Sequence, residues 1–295
     1  MTVDLPAGKY VVAVSGGIDS VVLLDMLHKL PGIKLVVAHY DHGIRSDSHL
    51  DRQHVAELAK TYGLPFVYHE GKHGPDTSEA AARTARYQFL HRVRLASGAR
   101  AIVTAHHRDD LLETAILNLL RGTGRKGLSS LQSTDIVVRP LLHLTKHQLH
   151  TYAHVHKLQW REDSTNSDEA YLRNYVRRRI VPKFTMAQRR QLHELILRTA
   201  ELNEQLDAYI VNYLHCQPHI HQLHRRSFIS LPHGVAREVM ASWLRNAGIR
   251  QFDRQTLERL VVAAKTARPG ASIDIIQGHR LLTLKNTLAL KLAER

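Results

Sequence analysis

Ser15-Gly16-Gly17-Ile18-Asp19-Ser20 packs two glycines, two hydroxyls and one carboxylate into six residues. Glycines let a backbone turn tightly and approach a ligand without Cβ clashes. Successive N–H groups in such a turn, followed by a helix N-terminus, form a cradle for an anion. Ser15 and Ser20 add hydroxyl donors. Asp19 carries the wrong charge for a phosphate, so its expected task is to hold magnesium, which bridges to phosphate oxygens. A plain turn with a capping serine is the simpler reading of the same letters. The strand before it and the helix after it favour the anion site. No Walker A pattern, G-x-x-x-x-G-K-[ST], is present. Gly122-Thr-Gly-Arg-Lys-Gly127 fits G-x-G-x-x-G letter for letter, yet it follows a helix instead of a strand and reads as a flexible basic loop.

A second group of reactive types lies in Thr104-Ala-His-His-Arg-Asp-Asp110 and Glu113. On a helix over 109–121, Leu111, Leu112, Ala115, Ile116, Leu119 and Leu120 form one apolar stripe. Asp110, Glu113, Thr114 and Arg121 fall on the other side. Two carboxylates at i,i+3 then share a face, suited to binding a cation or moving a proton. Acids near a helix N-terminus also serve the macrodipole, which is the structural alternative. His106 and His107 do not make a zinc site, because H-E-x-x-H is absent and no cysteine is near. Cys216, His219, His221 and His224 read as scattered surface groups in a chain with 22 histidines. Arg83, Arg86 and Tyr87 stand at i, i+3 and i+4, one helical face whose guanidinium forks suit phosphates.

These groups need a frame. Tyr10–Val14 is a short, fully apolar run, as expected of a strand buried on both faces, and Leu35–His39, Pro65–His69, Arg100–Thr104 and Ile136–Arg139 read as further strands. Helices are expected over Val21–His28, Asp51–Tyr62, Ser78–Ser97, Asp109–Arg121 and from a Thr145/Gln148 capping box to Lys157. Ser48 with Asp51 reads as a further capping box. Alternating strands and helices imply a Rossmann-like parallel sheet with helices on both faces, and a ligand at the carboxyl ends of its strands. Asp41 ends the second strand and so points at that crevice. Beyond Pro182 the pattern changes. A long helix over 188–216 leads to two helices, near 235–247 and 253–266, and a hairpin of 272–277 with 281–290 around Gly278. The expected division is a catalytic domain at 1–185, a linker helix at 186–216 and a small α+β domain at 217–295.

The charge is +14, from 41 basic and 27 acidic residues. Such a surplus predicts a polyanionic partner. Residues 171–190 hold Arg173, Arg177, Arg178, Arg179, Lys183, Arg189 and Arg190 with no Asp or Glu, so they lack the salt bridges of an ordinary solvated helix face and read as a nucleic-acid contact. No run approaches a membrane span, and the start Met1-Thr-Val-Asp-Leu-Pro lacks the pattern of a signal peptide. One cysteine excludes an internal disulfide, and a cytoplasmic location is expected. The oligomeric state stays open, a homodimer included.

Taken together, the motifs resemble a known family. Ser15–Ser20 after a strand looks like the PP-loop of N-type ATP pyrophosphatases, which cleave ATP between the α- and β-phosphates. His39-Tyr-Asp-His-Gly-Ile-Arg45, Ala82-Arg-Thr-Ala-Arg-Tyr87, Thr104–Asp110, Glu113-Thr114, Arg121-Gly-Thr-Gly124, Arg139-Pro-Leu-Leu142 and Trp160-Arg-Glu-Asp-Ser-Thr-Asn166 with Arg173-Asn174 and Arg177 resemble the tRNA(Ile)-lysidine synthases. The likeness runs from about Tyr10 to Pro182 and points to the compact form without an extra C-terminal domain. It implies ATP and magnesium on Ser15, Gly16, Gly17, Ile18, Asp19 and Ser20. It implies Asp41, Asp110 and Glu113 as the catalytic carboxylates. It assigns His107, Arg83, Arg86, Arg121, Arg173, Asn174 and Arg177 to free L-lysine and to a tRNA(Ile) with a CAU anticodon. The implied reaction adenylates the wobble cytidine and then joins lysine to it. A PP-loop cytidine thiolase is disfavoured by the lone Cys216. A synthetase for small metabolites is disfavoured by the charge. A non-catalytic RNA-binding protein has no use for Asp19, Asp110 and Glu113.

Overall fold

The computed structural model describes residues 1–43, 48–71, 77, 79–123, 125–161, 172–217, 219–276 and 278–292. Arg45, Ser78, Gly124, Tyr171 and residues 162–166 of the motifs above lie outside them. The chain divides into two compact units, Met1–Ala200 and Glu201–Arg295.

In the first unit, strands β1 (Gly8–Ala13), β2 (Ile33–Asp41), β3 (Phe66–Glu70), β4 (Ala101–Val103) and β5 (Val137–Val138) alternate with helices. These are α1 (Ile18–His28), α2 (Ser48–Thr61), α3 (Glu79–Ser97), α4 (Arg108–Leu120), the one-turn α5 (Arg125–Leu128) and α6 (Lys146–Val155). All strands pair in parallel, in the order β3-β2-β1-β4-β5. The α/β expectation therefore holds. Alternation along β1 sends Tyr10, Val12 and Val14 into a core with α1, α2 and α6, and Val11 into a second core with Phe89, Leu90 and Val93 of α3. Both faces of the inner strands are covered, which is why these read as unbroken apolar runs, whereas the edge strand β3 leaves Val67 and Tyr68 exposed. The chain runs outward from β1 to β2 and β3, then returns to place β4 on the other side of β1. A crevice opens at that reversal, outside the carboxyl ends of β1 and β4.

Helix α4 departs from the amphipathic expectation at its C-terminal end. Leu111, Leu112, Ala115 and Ile116 are buried, but Leu119 and Leu120 are exposed. Asp110 and Glu113 share a face as expected, and basic side chains from a later segment bury them there. Ser48 is not a free cap either: its hydroxyl donates to Asp41, and Asp51 receives Arg161. The Thr145/Gln148 capping box forms as expected. After α7 (Leu172–Tyr175) come a π-turn at Val176–Ile180, a 3-10 turn at Val181–Lys183 and the 30-residue α8 (Met186–His215), which crosses the division between the units.

The second unit contains β6 (Gln222–His224), α9 (Arg225–Ser230), α10 (His233–Asn246), α11 (Arg254–Thr266), β7 (Ser272–Asp274), β8 (Arg280–Thr283) and β9 (Thr287–Lys291). The sheet is antiparallel, in the order β6-β9-β8-β7. The single strand expected over 281–290 is two strands. A turn at Leu284–Asn286 breaks it, closed by Leu284 N–H donating to Thr287 O at 2.8 Å, and β6 joins the free edge of β9. Strand β6 is too short to leave a periodic signature. Arg225 is buried with its guanidinium on the carbonyls of Ala264, Ala267 and Leu284, so it satisfies the open end of α11. Among the described residues no group of histidines, cysteines and carboxylates is placed to hold a metal, and no helix is long and apolar enough to cross a membrane.

Candidate functional site

The loop after β1 is held open by its own hydrogen bonds. Gly16 sits at φ +96°, a conformation that a side chain disfavours, which explains glycine at that turn. Ser20, buried in the first turn of α1, donates its hydroxyl to Gly17 O at 2.8 Å and accepts the Ser15 N–H at 3.2 Å. The Arg161 N–H donates to Gly16 O at 3.0 Å, clasping the loop from a distant segment. The Gly17 N–H, at the N-cap of α1, points to the Ser15 hydroxyl only at 3.4 Å. The N-terminus of α1 therefore has amide donors ready for an anion.

Asp19, one turn into α1, does not stand alone. Lys146 Nζ lies 2.7 Å from each of its carboxylate oxygens. His107, on the loop after β4, has Nε2 3.7 Å from Asp19 and 3.4 Å from Asp110. The His107 N–H donates to Asp110 Oδ2 at 3.0 Å, and Lys146 N–H donates to Asp109 at 2.8 Å. The turns after β1, β4 and β5 thus meet at one place.

On the far side of Asp110 stands Glu113, whose side chain is only 3% exposed. Arg177 grips it as a fork, Nε to Oε1 at 2.6 Å and Nη2 to Oε2 at 2.9 Å, and reaches Asp110 Oδ1 at 3.3 Å. Arg173 adds a longer bond to Glu113 at 3.4 Å and lies 3.8 Å from Asp110. Arg173 and Arg177, two of the three among those seven basic residues that find an acidic partner among the described residues, find it here. The partners come from α4, roughly 60 residues earlier, so no local spacing could reveal them. Arg190 also lies 3.9 Å from Glu194. Burial alone would raise the Asp110 carboxyl, but His107 with its backbone N–H and Arg173 outweigh it, so Asp110 is held below the usual carboxylate range.

The sequence profile of the PP-loop domain family matches residues 1–184. The chain belongs to the PP-loop family. Within it, the tRNA(Ile)-lysidine synthase of Solibacter usitatus is 38% identical over 201 residues, which are 67% of this chain and 46% of that protein. The tRNA(Ile)-lysidine synthase of Thermus thermophilus is 45% identical over 183 residues, 60% of this chain and 36% of that protein. The match thus spans less than half the length of these relatives. Among solved structures, the U34-tRNA thiolase NcsA of Methanococcus maripaludis with its [4Fe-4S] cluster superimposes with a TM-score of 0.45 at 14% identity, over 65% of this chain and 66% of that one.

The remaining expected residues lie on several elements of the first unit, and no contact joins them to the PP-loop among the described residues. Asp41 is buried at the end of β2, and both its oxygens serve its own loop: Gly43 N–H donates to one at 2.8 Å and the Ser48 hydroxyl to the other at 3.0 Å. Gly43 has φ +66°, and a side chain there would collide with the Gly71 carbonyl. Arg121 caps the opposite end of α4 and is exposed, roughly 16 Å along the helix axis from Asp110. Arg83 and Arg86 lie on α3 around Tyr87. Asn174 lies on α7 beside Arg173.

Four contributors carry no role in the sequence reading: Arg139 and Arg161 stand only inside quoted motifs, His106 is weighed only as a zinc ligand, and Lys146 is not singled out. Lys146 and Arg161 bind the PP-loop, His106 adjoins Thr104 at 2.9 Å, and Arg139 follows β5. Lys146 offered one clue, since a lysine at the first position of a helix opposes the macrodipole and needs a carboxylate nearby. Burial, with the guanidiniums of Arg139, Arg86 and Arg83, overrides the pull of Asp110 and pushes His106 down to about 3, so its imidazole is neutral.

Proposed function

We propose that this chain carries tRNA(Ile)-lysidine synthase activity. The supporting observation is the unbroken chain of polar contacts from Asp19 through His107 and Asp110 to Glu113. It joins an anion cradle to a buried pair of carboxylates within one crevice. The cradle suits a nucleotide triphosphate and the carboxylates suit an ammonium, the two small substrates of this ligase. The likeness to two curated lysidine synthases favours the same assignment.

In this reading the amides of 15–20 and the N-terminus of α1 hold the phosphates of ATP. The wobble cytidine's 2-carbonyl oxygen attacks the α-phosphorus and pyrophosphate leaves. Catalysis here is positioning and charge stabilisation. Asp19 supplies hard oxygen donors that fit magnesium, which when bound neutralises phosphate charge. In this structure Lys146 is the cation that Asp19 holds. The ε-amine of free lysine then attacks C2 of the activated base and AMP leaves. Asp110 and Glu113 bind the lysine ammonium, and Asp110 accepts the proton that the amine must lose to become a nucleophile. Unstacking the base costs about a few kcal/mol, least in a single-stranded loop. The cationic segment around Arg178 and Arg179 and the second unit supply phosphate contacts that position the tRNA without specifying it.

The test is direct: protein, ATP, magnesium, labelled lysine and an isoleucine tRNA transcript with a CAU anticodon. Label on the RNA, with AMP and pyrophosphate released, is expected. ATP cleavage between the β- and γ-phosphates, or no label on RNA, refutes the proposal.

A further inference from the structure

Near the end of α1 that lies away from the PP-loop, three segments meet on one buried carboxylate. Asp25 is only 4% exposed. Lys29, the C-cap residue of the same helix, donates to its Oδ2 at 2.6 Å. That bond alone balances the charge, yet two phenols from elsewhere join it. Tyr152 of α6 donates to Oδ2 at 2.7 Å, and Tyr62, just past α2, donates to Oδ1 at 2.8 Å. Lys29 Nζ also donates to the Tyr152 oxygen at 3.1 Å. Burial by itself would raise the Asp25 carboxyl, but the lysine and the two phenols outweigh it and hold it below the usual carboxylate range. An ionised group enclosed in this way adds little net stability over a well-packed apolar residue. What it adds is direction. Leu149 and Ala153 of α6 share an apolar core with Val22, Leu23 and Met26 of α1. Apolar contact is non-directional, so it tolerates a helix that slides or turns. A charge-assisted hydrogen bond does not.

Helix α6 is joined to α1 at two levels. Lys146 holds Asp19, and Tyr152 holds Asp25. Asp19 and Asp25 are six residues apart, and so are Lys146 and Tyr152, which is roughly 9 Å along each axis. The two helices therefore run side by side in the same direction with matched rises. A slip of one turn, about 5.4 Å, breaks both bonds together. We propose that Asp25, acting through the Tyr152 hydroxyl, is a positioning residue for the PP-loop: it fixes α6 along α1 and so sets how firmly the Lys146 ammonium occupies Asp19. Asp109 also holds the backbone N–H of Lys146, so losing the Tyr152 hydroxyl acts more weakly than losing the ammonium itself. Only the magnesium measurement below rests on the ATP and magnesium chemistry proposed above. The register of the two helices does not.

The experiment compares Tyr152→Phe, Tyr62→Phe, Lys146→Met and the double variant Tyr152→Phe/Lys146→Met in the whole chain. Two quantities are read: stability to urea, and the magnesium concentration that half-saturates ATP binding in equilibrium dialysis, with neither tRNA nor lysine present. Tyr62→Phe removes a bond to the same carboxylate without touching α6, so it controls for a purely structural loss. Lys146→Met is expected to lower the half-saturating magnesium, because Asp19 is freed for the ion. Tyr152→Phe is expected to shift it the same way by about threefold or more, and Tyr62→Phe to leave it unchanged. Without Lys146, Tyr152→Phe is expected to change it no further. A Tyr152→Phe that loses stability and keeps the wild-type magnesium dependence overturns the proposal. So does an equal shift in Tyr62→Phe, or a shift that persists undiminished in the double variant. If Lys146→Met itself leaves the magnesium dependence unchanged, Asp19 is not the magnesium carboxylate, and the urea data decide. Losses from contacts this far apart normally add, so a double variant that departs from the sum of the singles keeps Asp25 as the residue that places Lys146, and additivity overturns it. Lysine transfer is assayed separately, and its failure sinks the lysidine reading without touching either result.

Discussion

Removing Arg177 should expose how the carboxylate pair is kept in the fold. Glu113 is almost wholly enclosed, and Arg177 supplies both of its short bonds. Breaking a buried ion pair from one side costs about 3–5 kcal/mol, because it strands the other charge. Two features lower that figure here. Arg177 is itself 37% exposed, and Arg173 stays 3.4 Å from Glu113. Arg177→Met should therefore cost about 2–3 kcal/mol, or roughly 4–12 °C in Tm for a unit of this size. Adding Glu113→Gln removes the stranded charge, so the double variant should recover part of the stability. Urea unfolding of wild type, both singles and the double gives the coupling. A single variant costing less than about 0.5 kcal/mol, or a double costing the sum of the singles, would refute the reasoning and reduce the fork to a surface contact. The same geometry sets a competition. On the proposed reading, a lysine ammonium that enters this pair shares or displaces the guanidinium of Arg177, so Arg177→Met should bind free lysine more tightly although it is less stable. Equilibrium dialysis with labelled lysine checks this, and an unchanged affinity removes the competition.

Asp110→Asn preserves shape and removes the charge, so lysine transfer should fall by about 100-fold or more while ATP affinity holds; wild-type rates in single-turnover assays would end the assignment. Lys146→Met frees Asp19 from its ammonium and should lower the magnesium concentration for half-maximal activity. A higher requirement would place Lys146 on the phosphates instead. Arg178 and Arg179 are exposed, and changing both to glutamine should flatten the salt dependence of tRNA binding by roughly 0.7–0.9 in log–log slope for each phosphate no longer neutralised; an unchanged slope moves the RNA surface elsewhere. His39 and His106 are both lowered from the ordinary histidine value, chiefly by burial. The unfolded chain then binds more protons than the folded one just below pH 6.5, so stability should fall as pH drops from 7 towards 5 and be flat in these groups above 7. For the buried His39 the slope is at most about 1.4 kcal/mol per pH unit. His39→Gln should flatten the profile of Tm against pH, and an identical profile would discard this account.

Much of the frame was legible because its signals are local. Val-rich strands, the Thr145/Gln148 box and the glycine turn at Gly16 follow from backbone sterics and burial on two faces, which short windows carry. The second unit was less legible. Strand β6 has three residues, too few for a period to register, and the turn at 284–286 interrupts an apolar run that otherwise reads as continuous. The burial of the α4 carboxylates was illegible for a different reason. Periodicity places apolar side chains inward and assumes that charges face water, and it has no means of seeing guanidiniums that arrive from 60 residues away.

The sequence by itself determined that a parallel α/β sheet carries a glycine-rich anion turn after its first strand, and which residue types are at hand for chemistry. Tertiary structure alone decided the pairing of charges: Lys146 on Asp19, and Arg177 and Arg173 on Glu113 and Asp110. The physical reason is that a charge's partner is set by distance in space and by exclusion of water. Both depend on which loops the strand order brings to the same rim, and no spacing along the chain encodes that.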